Sequence, residues 1–525
     1  MELITKDAAV KMISDGAHVS TTGFIGSGHP QTISSAIEEH FLKTGHPRDL
    51  TYQFSAGVGD NDHRGNNYYG HAGLLKRVIG AHYATAPRLG KLISANEVEA
   101  YNLPQGVVTH LFRAAAGKKP GILTKVGLKT FIDPRVEGGK LNTSTTEDIV
   151  EVKKIDGEEY LFYKTFPTDV ALIRASTADE HGNLTMEREA VITEAFSIAA
   201  AAKAAGGIVI AEVERLAAAG SMAPKNIIVP GSLVDYVVIG DKDKFMQTND
   251  EYFNPSYTGE VKVPLNRIPP LPLNERKVIA RRAAMELDTH CRTNLGIGMP
   301  EGVASVAAEE GFGDTLLMTV ESGGFGGLPA AGGSFGATLN AESTICHSSM
   351  FDFYDGGNLD VTCLGIAEVD SAGNLNVSKF GPKIAGCGGF INISQNTPKI
   401  IFCGTLTAGG LRVKVENNEL HILQEGRKKK FVPQVEQITF SAEYAKENGQ
   451  KVLYITERAV FELGKEGLVL TEIAPGVDLQ KDVLDQINAK VKVSQKLKTM
   501  DTRIFQEGPM GLASEIVKGK IKGVA

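Results

Sequence analysis

The sequence is poor in the features that would send a chain to a membrane, to nucleic acid or to a metal. No stretch approaches the roughly 20 apolar residues of a membrane span. The N-terminus, Met1-Glu-Leu-Ile-Thr-Lys-Asp7, has no apolar segment of the secretory kind. There are only five cysteines (Cys291, Cys346, Cys363, Cys387, Cys403), and none forms a Cys-x-x-Cys pair. An odd count without a leader points to reduced thiols, so the expected location is the cytoplasm. A net charge of −7 leaves no general nucleic-acid footprint. The twelve histidines show no metal-ligand spacing and no His-Glu-x-x-His, so no metal is expected. Nucleotide signatures are missing too. Gly26-x-Gly28 and Gly296-x-Gly298 lack the third glycine of the dinucleotide fingerprint, with Gln31 and Glu301 at its place, and no Gly-Lys is followed by Ser or Thr.

What is present is glycine, 58 residues clustered in loops, in a chain of 525 residues that is too long for one core. A strand, a glycine loop and a helix occur in that order at Ala17–Thr22, Gly23–Pro30 and the helix carrying Ile33, Ala36 and Ile37. The same grammar returns with a helical pattern at Ala283–Asp288, the loop Asn294–Pro300 and a helix over Gly302–Glu309. Gly28-x-Pro30 matches Gly298-x-Pro300. Asp169-Val, an apolar run and Asp179-x-x-Gly-Asn-Leu184 match Asp360-Val, an apolar run and Asp370-x-x-Gly-Asn-Leu375. Gly207–Glu214 parallels Lys399–Leu406 as a further buried strand. These pairs in one order indicate an internal duplication. The expected fold class is α/β, two similar open α/β domains at 1–261 and 276–525, joined by a proline-rich linker at 262–275. The first copy carries about 80 more residues between Gly28 and Asp169 than the second does between Gly298 and Asp360, an insertion placed around 60–150.

The most suggestive stretch is Thr315-Leu-Leu-Met-Thr-Val-Glu321, a buried-strand pattern that stops at a carboxylate and opens into Gly323, Gly324, Gly326 and Gly327. Open α/β sheets bind ligands beyond the carboxyl ends of their strands, so Glu321 is either a reactive group or a solvated turn residue. Two other turns bear on it, Gly386-Cys-Gly388-Gly389-Phe390 and Asn102-Leu-Pro104-Gln105-Gly106. Successive free N–H groups in such turns can hold an anion, while the plainer alternative for 386–389 is a tight turn between strands. A competing motif, Gly332-Gly-Ser334-Phe-Gly336 with His347 or His421, fits Gly-x-Ser-x-Gly, but Leu328-Pro329 before it makes a poor strand for a nucleophile elbow. Glu425-Gly-Arg427-Lys-Lys-Lys430 reads as a basic turn, solvated or facing a phosphate.

With these motifs the chain resembles the family I CoA-transferases, of the propionate/acetate type with both subunits fused in one chain. The resemblance rests on Glu321-Ser-Gly, the 386–390 loop, Asn102-x-Pro-Gln-Gly, Thr130-Phe-Ile-Asp-Pro-Arg135, Phe351-Asp-Phe-Tyr-Asp-Gly-Gly357 and Gly404-Thr-Leu-Thr-Ala-Gly409. Two positions depart from the family pattern, Asn358 where a third glycine is usual and Gly324-Phe325 after Glu321-Ser-Gly. The resemblance implies a pair of similar α/β domains and transfer of CoA between short-chain carboxylates such as acetate, propionate and butyrate. It implies Glu321 as nucleophile, with Gln105 and the backbone at Gly388 or Gly389 as oxyanion donors. Gly386, Gly389, Phe390, Gly26, Gly28, Gly298, Lys383 and Gly404 are the implied substrate- and CoA-binding positions. No tightly bound cofactor is implied; coenzyme A is substrate and covalent intermediate. The implied partners are acyl-CoA and carboxylates, and a closed dimer or tetramer is the base expectation. An ordinary glutamate pKa near 4.3 would leave the nucleophile ionised at neutral pH.

Overall fold

The structure is a computed structural model and describes residues 1–264 and 270–520, with the side chains of 517–520 excepted. Part of the 262–275 stretch, residues 265–269, therefore lies outside the described residues. Two ten-stranded sheets carry the architecture. The first is built on β1 (Glu2–Leu3), β2 (His18–Thr21), β3 (Leu50–Phe54), β4 (Leu75–Gly80), β5 (Glu99–Asn102), β6 (Val170–Asp179), β7 (Ile208–Ala217) and β8 (Tyr236–Ile239). Their spatial order is β1-β8-β7-β6-β2-β3-β4-β5, parallel throughout. Every residue of β6 is buried, as a central parallel strand covered on both faces requires.

The second sheet comprises β9 (Arg292–Leu295), β10 (Leu317–Thr319), β11 (Gly324–Phe325), β12 (Ser343–Thr344), β13 (Val361–Gly365), β14 (Lys399–Cys403), β15 (Lys451–Ile455), β16 (Ala459–Gly464), β17 (Gly467–Ile473) and β18 (Lys492–Thr499). Its order is β12-β11-β10-β9-β13-β14-β15-β16-β17-β18. The five parallel strands β8-β7-β6-β2-β3 thus recur as β15-β14-β13-β9-β10. In each sheet the chain reverses its direction of travel between the pairs β2/β6 and β9/β13, the switch point where a crevice opens.

The repeated aspartates turn out to be scaffold. Asp169 accepts the His18 backbone N–H at 2.8 Å, and Asp360 accepts that of Arg292 at 2.8 Å, locking neighbouring strands in the same register. Asp179 accepts the N–H groups of His181 and Asn183, as Asp370 does those of Ala372 and Asn374. The Asp-x-x-Gly-Asn-Leu motif is therefore a side-chain-closed turn, made twice.

Local details depart from the sequence pattern. Ala171 faces Val209 and Thr362 faces Ile400, so the pairing of Gly207 with Lys399 is one residue out; the runs Ile-Val-Ile and Ile-Ile-Phe fit either frame. The helix expected over Ala283–Asp288 spans Glu275–Ala284 instead, because Asn274 caps the Arg276 and Lys277 N–H groups and starts it earlier. After Gly386–Gly389 comes a helix, not a strand. The extra length of the first half forms β4, β5, a helix and a three-stranded antiparallel sheet of Gly121–Thr124, Val150–Ile155 and Glu158–Lys164.

The helices that matter for the site are α1 (Gln31–Thr44), α2 (Gln105–Ala116), α3 (Ala195–Ala205), α4 (Glu301–Glu309), α5 (His347–Asp355) and α6 (Phe390–Asn396). Among the described residues no helix is long and apolar enough to cross a membrane.

Candidate active site

A cavity of about 260 Å³ opens at the carboxyl ends of both sheets, lined by residues of both halves. The first half contributes Phe24, Ile25, Gly57, His82, Thr85 and Gln105; the second contributes Ile297, Glu321, Phe335, Leu364, Val377 and the 386–390 turn. Ile25 holds φ at +53°, a rare conformation for a β-branched residue. Two backbone hydrogen bonds pin it, its N–H to Gly57 and its carbonyl from Gly59. Strain of this kind in a cavity wall fits a site where side-chain placement matters more than local stability.

Glu321 stands two residues past β10, with Ser322 anchored to the Gly336 carbonyl at 2.5 Å behind it. Its Oε2 accepts one hydrogen bond, from Gln105 Nε2 at 3.3 Å. Gln105 is the first residue of α2, so the helix start aims its side chain across the crevice. The two glycine-bearing motifs clasp each other. The Cys387 N–H donates to Asn102 Oδ1 at 2.9 Å, the Gln105 N–H to the Gly388 carbonyl at 3.0 Å, and the Gly106 N–H to Asn392 Oδ1 at 3.1 Å. Gly389 must be glycine here: a Cβ would lie 2.9 Å from the Glu321 carboxyl carbon and 3.0 Å from Oε2. The Gly388 N–H is already committed to the Ala81 carbonyl at 2.8 Å, whereas the Gly389 N–H has no partner among the described residues.

Burial pushes the Glu321 carboxyl up to about 7, against the opposing effects of the His347 ring and the Gln105 hydrogen bond. The expectation of a glutamate fully ionised at neutral pH is therefore corrected. Part of the side chain still meets the cavity, but apolar walls and Phe351 beneath Gly389 supply too little solvation for the charged form. Burial likewise lowers His82 to about 4, so a neutral imidazole faces the cavity.

Of the positions singled out from sequence, Gln105, Glu321, Gly386, Gly388, Gly389 and Phe390 line one cavity. The remaining five lie outside its lining. Gly26 is packed against Asn249 and Gly28 against Thr193, and their neighbours Phe24 and Ile25 face the cavity. Gly298 follows the liners Gly296 and Ile297. Gly404 abuts Lys430 Nζ, 2.8 Å from where a Cβ would stand, and burial lowers that ammonium to about 8. Lys383 sits in a hairpin beside Tyr83 and Lys91. Asn358 and Phe325 also stay outside the lining; Asn358 donates to the Phe353 carbonyl at 3.0 Å, and Phe325 packs on Phe353.

Ser334 has no histidine partner. Its hydroxyl bonds Thr248 Oγ1 at 2.9 Å and donates to Glu251 Oε2 at 3.1 Å, so the Ser-His pair of a nucleophile elbow is not formed among the described residues. The sequence did not disclose Glu194 or Ser55, and it marked His347 only as a partner for Ser334. In the structure His347 Nε2 meets Gln105 Nε2 at 2.9 Å and its Nδ1 meets Glu194 Oε2 at 2.8 Å. Nothing in Val191-Ile-Thr-Glu194 signals this role.

Comparison with known proteins agrees with this geometry. Residues 3–240 match the pattern of the family described as Coenzyme A transferase. The chain is 48% identical over 524 residues to the caffeate CoA-transferase of Acetobacterium woodii, covering 99% of this chain and 100% of that one. It is 43% identical to the acetate CoA-transferase YdiF of Escherichia coli K12, over 97% and 96% of the two chains. The crystal structure of the E. coli O157:H7 acyl-CoA transferase YdiF as a thioester complex with CoA superposes with a TM-score of 0.92, at 41% identity and 97% coverage of each chain. The strand-end carboxylate, the paired sheets and this full-length similarity lead to one conclusion: the chain belongs to the coenzyme A transferase family and is a CoA-transferase.

Proposed function

We propose that the enzyme moves CoA from a short-chain acyl-CoA to a carboxylate acceptor in two half-reactions, through a CoA thioester on Glu321. The observation that carries this is the Glu321 carboxylate itself, open to an apolar cavity, with one donor on Oε2 and the Gly389 backbone in contact behind it. A carboxylate oxygen attacks the thioester carbonyl, the C–S bond breaks and the CoA thiolate leaves, giving an acyl-glutamyl anhydride. The thiolate then attacks the glutamyl carbonyl, and the acyl carboxylate leaves as the C–O bond breaks. An acceptor carboxylate reverses the sequence, with no net gain or loss of protons.

Each tetrahedral step places negative charge on oxygen. The Gln105 amide and the Gly389 N–H are the donors proposed for it, in preference to the Gly388 N–H that Ala81 already occupies. Apolar walls keep water from the anhydride. Gly386, Gly389 and Phe390 are the CoA-binding positions that line the cavity.

For the acyl group, the acetate, propionate and butyrate class is the first reading. Phe24, Phe335 and Phe390 in the lining favour a second, an aromatic unsaturated acid of the kind for which the Acetobacterium relative is named. Incubation with acetyl-CoA and no acceptor should give a hydroxylamine-sensitive CoA adduct on the peptide carrying Glu321, absent in Glu321→Ala. No adduct on that peptide overturns the mechanism. Initial rates across a panel of aliphatic and arylacrylic acceptors should give parallel double-reciprocal lines, and the acceptor with the highest kcat/KM decides between the two acyl readings.

A further inference from the structure

Beneath the reactive carboxylate lies a chain of buried side chains that crosses from one half of the molecule to the other. Ser55 follows β3, Glu194 is the N-cap residue of α3, His347 opens α5 and Gln105 opens α2. All four are buried: Ser55, Glu194 and His347 are 1% exposed, and Gln105, at the cavity wall, is 2% exposed. The Ser55 hydroxyl donates to Glu194 Oε1, and Glu194 Oε2 lies 2.8 Å from His347 Nδ1. His347 Nε2 lies 2.9 Å from Gln105 Nε2, which in turn lies 3.3 Å from Glu321 Oε2. No other charged side chain makes a hydrogen bond or ion pair to Glu194 among the described residues.

We propose that Glu194 and His347 are positioning residues for Gln105. A carboxylate can only accept and an amide nitrogen can only donate, so the two contacts together put the His347 ring proton on Nδ1, facing Glu194. Nε2 is then a lone pair and accepts from the Gln105 amide. That fixes the NH₂ group, rather than the carbonyl oxygen, on the side of Glu321. With the opposite tautomer, Nε2–H would demand the Gln105 oxygen, and the amide would turn. Its oxygen would then confront the Glu321 carboxylate, and the donor for the developing oxyanion would be lost. The sealed carboxylate thus orients the reactive one's hydrogen-bond donor through two intervening side chains. The inference rests on the reading of Gln105 as oxyanion donor.

The test is a double-mutant cycle on the intact enzyme with acetyl-CoA as donor and propionate as acceptor. Glu194→Gln keeps shape but can donate to Nδ1, so it admits the wrong tautomer. It should lower kcat about 100-fold, the size of one lost donor, with KM for acetyl-CoA within about twofold. In the Gln105→Ala background the same substitution should cost less than about twofold, because residues acting as a unit are not additive. Independent, multiplicative losses in the two backgrounds would overturn the relay and leave a purely structural role across the two halves. His347→Phe gives the same cycle if Glu194→Gln lowers the melting temperature too far for assay. Unchanged kcat in Gln105→Ala alone would remove the donor assignment and the relay with it. The adduct on Glu321 is read separately, so failure of the thioester mechanism is seen independently of this result.

Discussion

Counted from the paired positions His18–Thr51 and Arg292–Leu317, Ser55 and Glu321 occupy the same step beyond matching strands. Gln105 and His347 each begin a helix, the two helices pack on each other, and the two side chains meet. Glu194 is the N-cap residue of α3, and Gly389 is the N-cap residue of α6. Each half therefore contributes one carboxylate to this network, the first from a helix start and buried away from the cavity, the second from a strand end at the cavity wall. Their fates differ because their partners differ. Glu194 is fully enclosed and satisfied by Ser55 and His347. Glu321 has one long hydrogen bond and an open cavity in front of it. A shared frame does not by itself make a group available for reaction; lone pairs left unsatisfied beside open space do.

The strongest way to break this comparison is to exchange the equivalent positions for alanine. If Glu321 is the nucleophile proposed above, Glu321→Ala should lower transfer by about 10⁴-fold or more, whereas Ser55→Ala should lose far less. Equal losses would mean that the two halves share the chemistry. Next in size, Gln105→Ala should lower kcat by about 10²- to 10³-fold with KM little changed. A rise in KM alone would make Gln105 a binding residue.

The acidity of Glu321 gives the next test. Because burial holds Glu321 near 7, single-turnover adduct formation should fall about tenfold per pH unit below that value. The same shift has a stability sign. A glutamate raised from 4.5 to about 7 binds a proton in the folded state that the unfolded chain has released, so stability declines as pH rises between those values. Glu321→Gln should therefore stabilise the protein at pH 8 relative to wild type and have no such advantage at pH 4. An advantage independent of pH would mean that the carboxyl is not desolvated.

The smallest effect tests what the halves have in common. Asp179→Ala and Asp370→Ala each strip the acceptor from two turn N–H groups and should each cost about 1–3 kcal/mol in denaturant unfolding, with activity per folded molecule retained. A loss confined to one half would mean that only one turn is structural.

Much of this was legible in the chain. Alternating apolar runs and glycine loops mark the strands and their order, and the duplicated Asp-x-x-Gly-Asn-Leu shows itself because a closed turn needs residues only four apart. Glu321 stands out for the same reason: an acidic residue ending an apolar run is a local pattern. The clasp between Asn102-x-Pro-Gln-Gly and the 386–390 turn is legible as two motifs, but their hydrogen bonds are not, since 285 residues separate Asn102 from Cys387. The Gly207–Lys399 frame failed because apolar strands match themselves at neighbouring offsets.

The sequence by itself determined the strand-ending glutamate, the glycine that lets the backbone approach it, and a twice-repeated α/β frame, all of which depend on neighbours in the chain. Tertiary structure alone decided that burial holds Glu321 up at about 7, that the Gly388 N–H is occupied while the Gly389 N–H has no partner among the described residues, and that Glu194 reaches Gln105 through His347. Desolvation and hydrogen-bond partnership are properties of what surrounds an atom, and here the surroundings come from segments 139 and 242 residues apart.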